Sequence, residues 1–165
     1  MDIKYYDINT NIGKMLLFFS SKGIVYLTVS DDEEDILKLV KEKFGQVEKV
    51  DSEEYDFHNQ INEYLDGRRK DFSLPLDLRG TDFQKKVWNE LLKIPYGETR
   101  TYKDIANFIN VPKGYRAVGN ALNNNPVLIL VPCHRVIGSN GKLVGFAGGL
   151  ELKAKLLELE RNTSN

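Results

Sequence analysis

Cysteine is almost missing from this chain: there is one among 165 residues. A single thiol excludes an internal disulfide and any cysteine-rich zinc site. It also fits a reducing, intracellular compartment. No apolar run approaches the ~20 residues needed to cross a bilayer. The opening MDIKYYDINT lacks the apolar core of a secretory signal. The triplet Asn162-Thr163-Ser164 is then a chance match to the glycosylation pattern, and the expected location is cytoplasmic, away from membranes. No internal repeat or low-complexity tract is present. What remains is 41% hydrophobic and 28% charged, enough to bury a core in one ordinary domain or two small ones.

The net charge of −1 hides an asymmetry. Residues 1–78 carry 10 Lys+Arg against 17 Asp+Glu, whereas residues 79–165 carry 13 against 7. A basic half beside an acidic one suggests that the second half meets a polyanion. Random scatter of charge is the plainer alternative.

The first half reads as a small α/β domain. Residues 3–8, 14–20 and 24–29 are short β-rich runs separated by turn chemistry at 9–13 and 21–23, which predicts an antiparallel meander. The acidic cluster 31–35 opens a helix carrying Ile36, Leu37, Val40 and Phe44 on one face. Acids suit the positive end of the helix dipole, so the cluster reads as a helix start and not as a metal site. Residues 55–65 form a second helix, ended by Gly67. Residues 72–78 are extended and interrupted by Pro75.

From residue 79 the character changes. Thr81 and Gln84 form a capping box, and the helix that follows is expected to bury Phe83, Val87, Trp88, Leu91 and Leu92. Pro95 and Gly97 stop it. Thr101 caps a short helix carrying Ile105, Ala106, Phe108 and Ile109. A turn at 110–114 leads to a third helix over 115–122. Helix, short turn, helix is a helix-turn-helix pattern, and its second helix would dock on DNA. That helix is rich in small residues, among them Ala117 and Gly119. These permit close approach to a groove but make no base-edge hydrogen bonds. Equally, they could serve tight packing against another helix. Residues 127–131 read as a buried strand, 136–146 as a wing hairpin turning at Ser139-Asn140-Gly141, and 150–159 as a final amphipathic helix carrying Leu152, Leu156, Leu157 and Leu159.

The lone thiol follows the buried run directly, in Pro132-Cys133-His134-Arg135-Val136. Thiolates are the attacking form of cysteine, and a neighbouring imidazole can accept the proton, through one water where the side chains diverge. A buried structural cysteine beside a coincidental histidine is the competing reading.

The whole string resembles the signature of the O6-alkylguanine-DNA alkyltransferases. Collinear with it are Phe83-Gln84, Val87-Trp88, Pro95-Tyr96-Gly97-Glu98-Thr99, Thr101-Tyr102, Arg116-Ala117-Val118-Gly119, Asn125-Pro126 and Gly148-Gly149. The resemblance runs from about Thr81 to Glu160. It implies a ribonuclease-H-like α/β domain over 1–78, followed by a helical, winged helix-turn-helix domain over 79–165. It implies single-turnover, irreversible transfer of an alkyl group from O6-alkylguanine, and from O4-alkylthymine, in double-stranded DNA, by a monomer without metal or cofactor.

Residue by residue, the resemblance makes Cys133 the acceptor and His134 the base. Glu160 orients the imidazole, and Asn125 is a hinge between recognition helix and cysteine. Tyr102, the Val136 carbonyl and the Ala147 N–H meet the flipped base. Arg116 fills the vacated stack. Gln84, Lys103, Ala117, Gly119 and Ser139 touch the DNA, in the minor groove. Arg135 reads instead as structural, paired with an acid. Two departures stand out: Phe146-Ala147 replaces the Tyr-Ser or Tyr-Arg of many members, and the single cysteine removes the N-terminal zinc site of some. Three other readings differ in what they need. A non-catalytic lesion binder would replace Cys133. A winged-helix regulator needs base-reading side chains, and a cysteine hydrolase needs an oxyanion hole.

Overall fold

A computed structural model describes residues 2–143, 145–146 and 148–163. The chain forms two compact units, residues 1–78 and 79–165.

In the first unit, strands β1 (Ile3–Thr10), β2 (Gly13–Ser20) and β3 (Gly23–Val29) form the expected antiparallel meander. β2 is buried along Met15–Ser20, so both of its faces are covered. On one face the cross-strand pair Tyr5 and Phe18 stacks at 4.9 Å and packs with Ile3, Leu16 and Val25 against Val40 of helix α1 (Glu33–Phe44). Tyr6 and Phe19 pack on Tyr55. The acidic run does start α1: the Asp32 carboxylate accepts the Asp35 N–H at 3.0 Å. Helix α2 (Phe57–Leu65) begins two residues later than the pattern predicts.

A fourth strand, β4 (Val47–Lys49), pairs parallel with β1 and gives the order β3-β2-β1-β4. Three largely exposed residues carry no readable period, so the sequence does not announce it. The extended segment with Pro75 is pinned along β3. Ile24 N–H donates to the Pro75 carbonyl at 2.9 Å, and Asp77 N–H donates to the Ile24 carbonyl at 2.8 Å. Only the carbonyl of Pro75 is used, which is why proline fits there. Gly23 has φ +147°, and a Cβ there would lie 2.6 Å from the Pro75 carbonyl, so this contact needs glycine.

The second unit is built on helices α3 (Asp82–Leu91), α4 (Tyr102–Phe108), α5 (Tyr115–Asn123) and α6 (Leu150–Thr163). Both predicted N-caps form as capping boxes, Thr81 with Gln84 and Thr101 with Asp104. The Trp88 indole donates to the Ala121 carbonyl at 2.8 Å and ties α3 to α5.

Three expectations need correction here. Leu92 is 41% exposed. The helix ends at Leu91, and the following turn buries Ile94 in its place. Residues 127–131 are buried but are not a strand. They coil on themselves, with Val131 N–H donating to the Val127 carbonyl at 3.1 Å and Ile129 at φ +74°. A buried backbone must find partners, and here short-range bonds replace a ladder. The wing is a tight turn and not a hairpin ladder among the described residues. Gly138 N–H donates to the Lys142 carbonyl at 2.9 Å, while β6 (Val136–Ile137) pairs in parallel with β5 (Arg100–Thr101). That short parallel pair sets the cysteine segment beside the start of α4.

Candidate active site

Cys133 lies in a single 3-10 turn, Cys133–Arg135, directly after the buried coil. It is 3% exposed. The Asn125 side chain builds the approach to it. Its Nδ2 donates to the Val131 carbonyl at 2.9 Å and to Cys133 Sγ at 3.0 Å, and its Oδ1 accepts the Val127 N–H at 3.0 Å. One buried amide thus closes the coil and touches the sulfur. The resemblance makes Asn125 a hinge; its bonds make it a clamp on residues 125–133.

Behind the cysteine, four donors converge on Glu160, itself 1% exposed. His134 Nε2 donates to Oε2 at 2.7 Å. Arg135 grips both oxygens, Nε to Oε1 at 2.9 Å and Nη2 to Oε2 at 3.0 Å, while Nη1 donates to the Ile94 carbonyl at 2.7 Å. Gly97 N–H donates to Oε1 at 3.1 Å. The charge-assisted fork on a carboxylate is the strong form of this contact. Burial lowers the His134 pKa, against the pull of Glu160, so the ring is neutral at pH 7. A carboxylate only accepts, which puts the proton on Nε2 and leaves the buried Nδ1 as the basic nitrogen. Burial pushes the Cys133 thiol up to about 11, opposed by the Asn125 bond and by the charge of Lys153. The resting nucleophile is therefore a thiol that needs a base.

Tyr102 opens α4 and is half-buried. Burial raises its pKa, and the Cys133 charge adds to the rise. Val136 is fully buried at the end of the cysteine turn. Arg116, Ala117 and Lys103 are exposed, as is Ser139 in the wing turn. Gln84 Oε1 accepts the Thr81 N–H at 3.0 Å. On α5 the two explanations for small residues divide. Ala121 is packed at 2% exposure. Ala117 is exposed, and a Cβ on Gly119 would meet nothing within 4 Å. Packing does not demand smallness at those two positions. Ala147 lies outside the described residues.

One buried charged side chain is not signalled by the leucine pattern of α6. On α6 the fully buried side is Lys153, Leu156 and Glu160, whereas Leu152, Leu157 and Leu159 are only partly covered. The spacing 153, 156, 160 was a usable signal, since these positions share one helix face. Leucine content pointed elsewhere. No group of three or more His, Cys, Asp or Glu side chains converges as a metal site among the described residues. No helix there is long and apolar enough to cross a membrane.

Residues 82–162 match the family model described as 6-O-methylguanine DNA methyltransferase, DNA binding domain, and residues 3–78 match its ribonuclease-like domain. A methylated-DNA–protein-cysteine methyltransferase of Methanosarcina barkeri is 47% identical over 161 residues, covering 96% of this chain and 98% of that one. The inducible one of Bacillus subtilis is 46% identical over 147 residues, covering 87% and 82%. Among solved structures, Mycobacterium tuberculosis OGT in complex with DNA superposes with a TM-score of 0.84 at 40% identity, covering 97% of this chain and 94% of that one.

Proposed function

The chain belongs to the 6-O-methylguanine DNA methyltransferase family, and from that premise we propose that Cys133 is the acceptor in a direct reversal of DNA alkylation. The protein is a methylated-DNA–protein-cysteine S-methyltransferase that binds DNA, and with one acceptor sulfur it works once per molecule. The observation that carries the assignment is the thiol held at 3.0 Å by Asn125, next in sequence to an imidazole fixed at 2.7 Å by Glu160.

The substrate base is O6-alkylguanine, with O4-alkylthymine as a second substrate, in double-stranded DNA bound by one copy of the chain. A base inside a duplex must be turned out of the stack before its O6 substituent can be reached. Arg116, exposed on α5, fills the gap with its planar guanidinium. The exposed Ala117 and open Gly119 let the helix lie close in the minor groove. Lys103, Gln84 and Ser139 hold the backbone. Val136 offers its carbonyl to the guanine amino group, and Ala147 its N–H to O6.

The thiol proton passes through one water to His134 Nδ1, and Glu160 compensates the imidazolium. Sulfur attacks the alkyl carbon in line. The S–C bond forms, the C–O6 bond breaks, and its electron pair stays on oxygen. Tyr102 donates to the base during departure, and the proton taken from the thiol ends on guanine. The thioether product does not hydrolyse, so the acceptor is not regenerated.

The test is intact mass and peptide mapping after incubation with a duplex carrying O6-methylguanine. One methyl on Cys133, stopping at one per protein, is expected. No transfer would remove the repair reading, and continued turnover would point to a hydrolase. Arg116→Ala should slow repair of duplex far more than repair of single-stranded substrate. Equal rates on duplex for both proteins would count against its place in the stack.

A further inference from the structure

The string Pro95-Tyr96-Gly97-Glu98 does more than end α3. It folds as a four-residue turn, closed by the Glu98 N–H on the Pro95 carbonyl at 3.1 Å. Gly97, third in the turn, has φ +80°, a left-handed conformation that this turn position favours glycine for. The turn leaves Tyr96 partly buried, with Arg135 Cζ 5.7 Å from its ring centroid. A guanidinium at that range is attracted by the ring quadrupole, and more strongly where water is kept away. Arg135 is buried.

The hydroxyl of Tyr96 reaches a second element. It bonds to Thr163 Oγ1 at the end of α6. The Thr163 hydroxyl has one proton and gives it to the Leu159 carbonyl at 2.7 Å. Tyr96 is therefore the donor, and the chain of bonds runs from its O–H through Thr163 to Leu159. Glu160 lies inside the helical turn that this chain spans. Helix ends fray, and this last turn carries the carboxylate that must hold His134 Nε2 at 2.7 Å. The neighbouring backbone adds two more points: the Ile94 carbonyl accepts Arg135 Nη1 at 2.7 Å, and the Gly97 N–H donates to Glu160 Oε1 at 3.1 Å. Residues 94–97 thus hold both members of the buried ion pair. A phenylalanine at 96 would supply the ring without the bolt on α6; tyrosine supplies both.

We propose that Tyr96 is a positioning residue that fixes the Arg135–Glu160 pair from two sides, ring on the guanidinium and hydroxyl on the last turn of α6, so that the carboxylate holds the His134 imidazole in the orientation proton transfer needs. This rests on His134 being the base for Cys133. Tyr96 acts through Glu160 and not on the reacting atoms.

Tyr96→Phe keeps the ring and removes the donor; Tyr96→Leu removes both. Single-turnover transfer is measured with saturating O6-methylguanine duplex, well below each unfolding temperature. Transfer should slow about threefold in the phenylalanine variant and about tenfold or more in the leucine variant, because misplacing a catalytic group by about an ångström is costly. Affinity for the duplex should stay as in wild type. The spectroscopic sign is the His134 Nε2 proton. Held on a carboxylate at 2.7 Å, it should give a downfield resonance protected from exchange. The chain has two histidines, so His58→Gln assigns that resonance by elimination. It should move upfield in the phenylalanine variant and broaden or vanish in the leucine variant. Thr163→Val removes the acceptor, and adding Tyr96→Phe to it should slow transfer no further.

A drop in thermal stability with a wild-type transfer rate and an unmoved resonance would make Tyr96 a packing residue and overturn the proposal. Slowing that more duplex restores, or effects of Tyr96→Phe and Thr163→Val that multiply, would overturn it as well. If the leucine variant does not fold, Tyr96→Phe and Thr163→Val carry the comparison. Failure of wild type itself to gain a methyl on Cys133 would sink the acceptor assignment instead.

Discussion

Cys133→Ser should leave a folded protein that still binds DNA and transfers nothing. Oxygen replaces sulfur in a pocket where burial already raises even the thiol to about 11. A hydroxyl is a far weaker acid than a thiol, and the neutral imidazole of His134 cannot take its proton at a useful rate. The Asn125 amide that donates to Sγ at 3.0 Å can donate to a hydroxyl as well, so the coil over 125–133 has no reason to open. Affinity for methylated duplex, measured by fluorescence anisotropy, should stay within a few-fold of wild type. It should fall with added salt, as phosphate contacts require. Mass spectrometry should find no methyl anywhere on the protein. Residual transfer, mapped to any other residue, would show that the acceptor was misassigned.

Glu160→Gln should cost both stability and activity. The carboxylate takes two bonds from Arg135, one from His134 and one from Gly97, all in a site that is 1% exposed. Removing its charge leaves the Arg135 guanidinium buried against a neutral amide. Breaking one side of a buried ion pair costs about 3–5 kcal/mol. Urea unfolding should register a loss of that order, and transfer should slow because the imidazolium loses its compensation. The double variant Glu160→Leu with Arg135→Met separates the two effects. Matched apolar side chains should recover much of the stability, whereas transfer should stay low, since nothing then orients His134. Full recovery of transfer in the double variant would show that Glu160 serves only to neutralise Arg135.

The contrast between these residues shows where sequence reading succeeds. Cys133, His134 and Arg135 are adjacent, so a short string carries them. Thr81 and Gln84 obey a local capping rule, and the box forms as read. Asp32 does the same for α1. The buried coil 127–131 was misread because an apolar run states burial and not conformation. What keeps it from being a strand is the Asn125 side chain, which closes its backbone bonds locally. Leu92 went wrong by one residue of helix, and β4 was too short to have a period at all. Lys153 was overlooked because a lysine in a helix is exposed by default, and its burial follows from what packs on α6.

By itself the sequence determined the chemistry available: one thiol, a histidine beside it, a basic second half with a helix-turn-helix, and no means of building a cysteine metal site. Those follow from composition and from contacts within a few residues along the chain. Only the tertiary structure decided how that chemistry is tuned. Glu160 reaches His134 across 26 residues, Gly145 comes to Tyr102, and Lys153 is buried with its ammonium on the Gly145 carbonyl. Burial and electrostatics act through space, and no local pattern records which distant carboxylate a folded chain will bring to a buried imidazole.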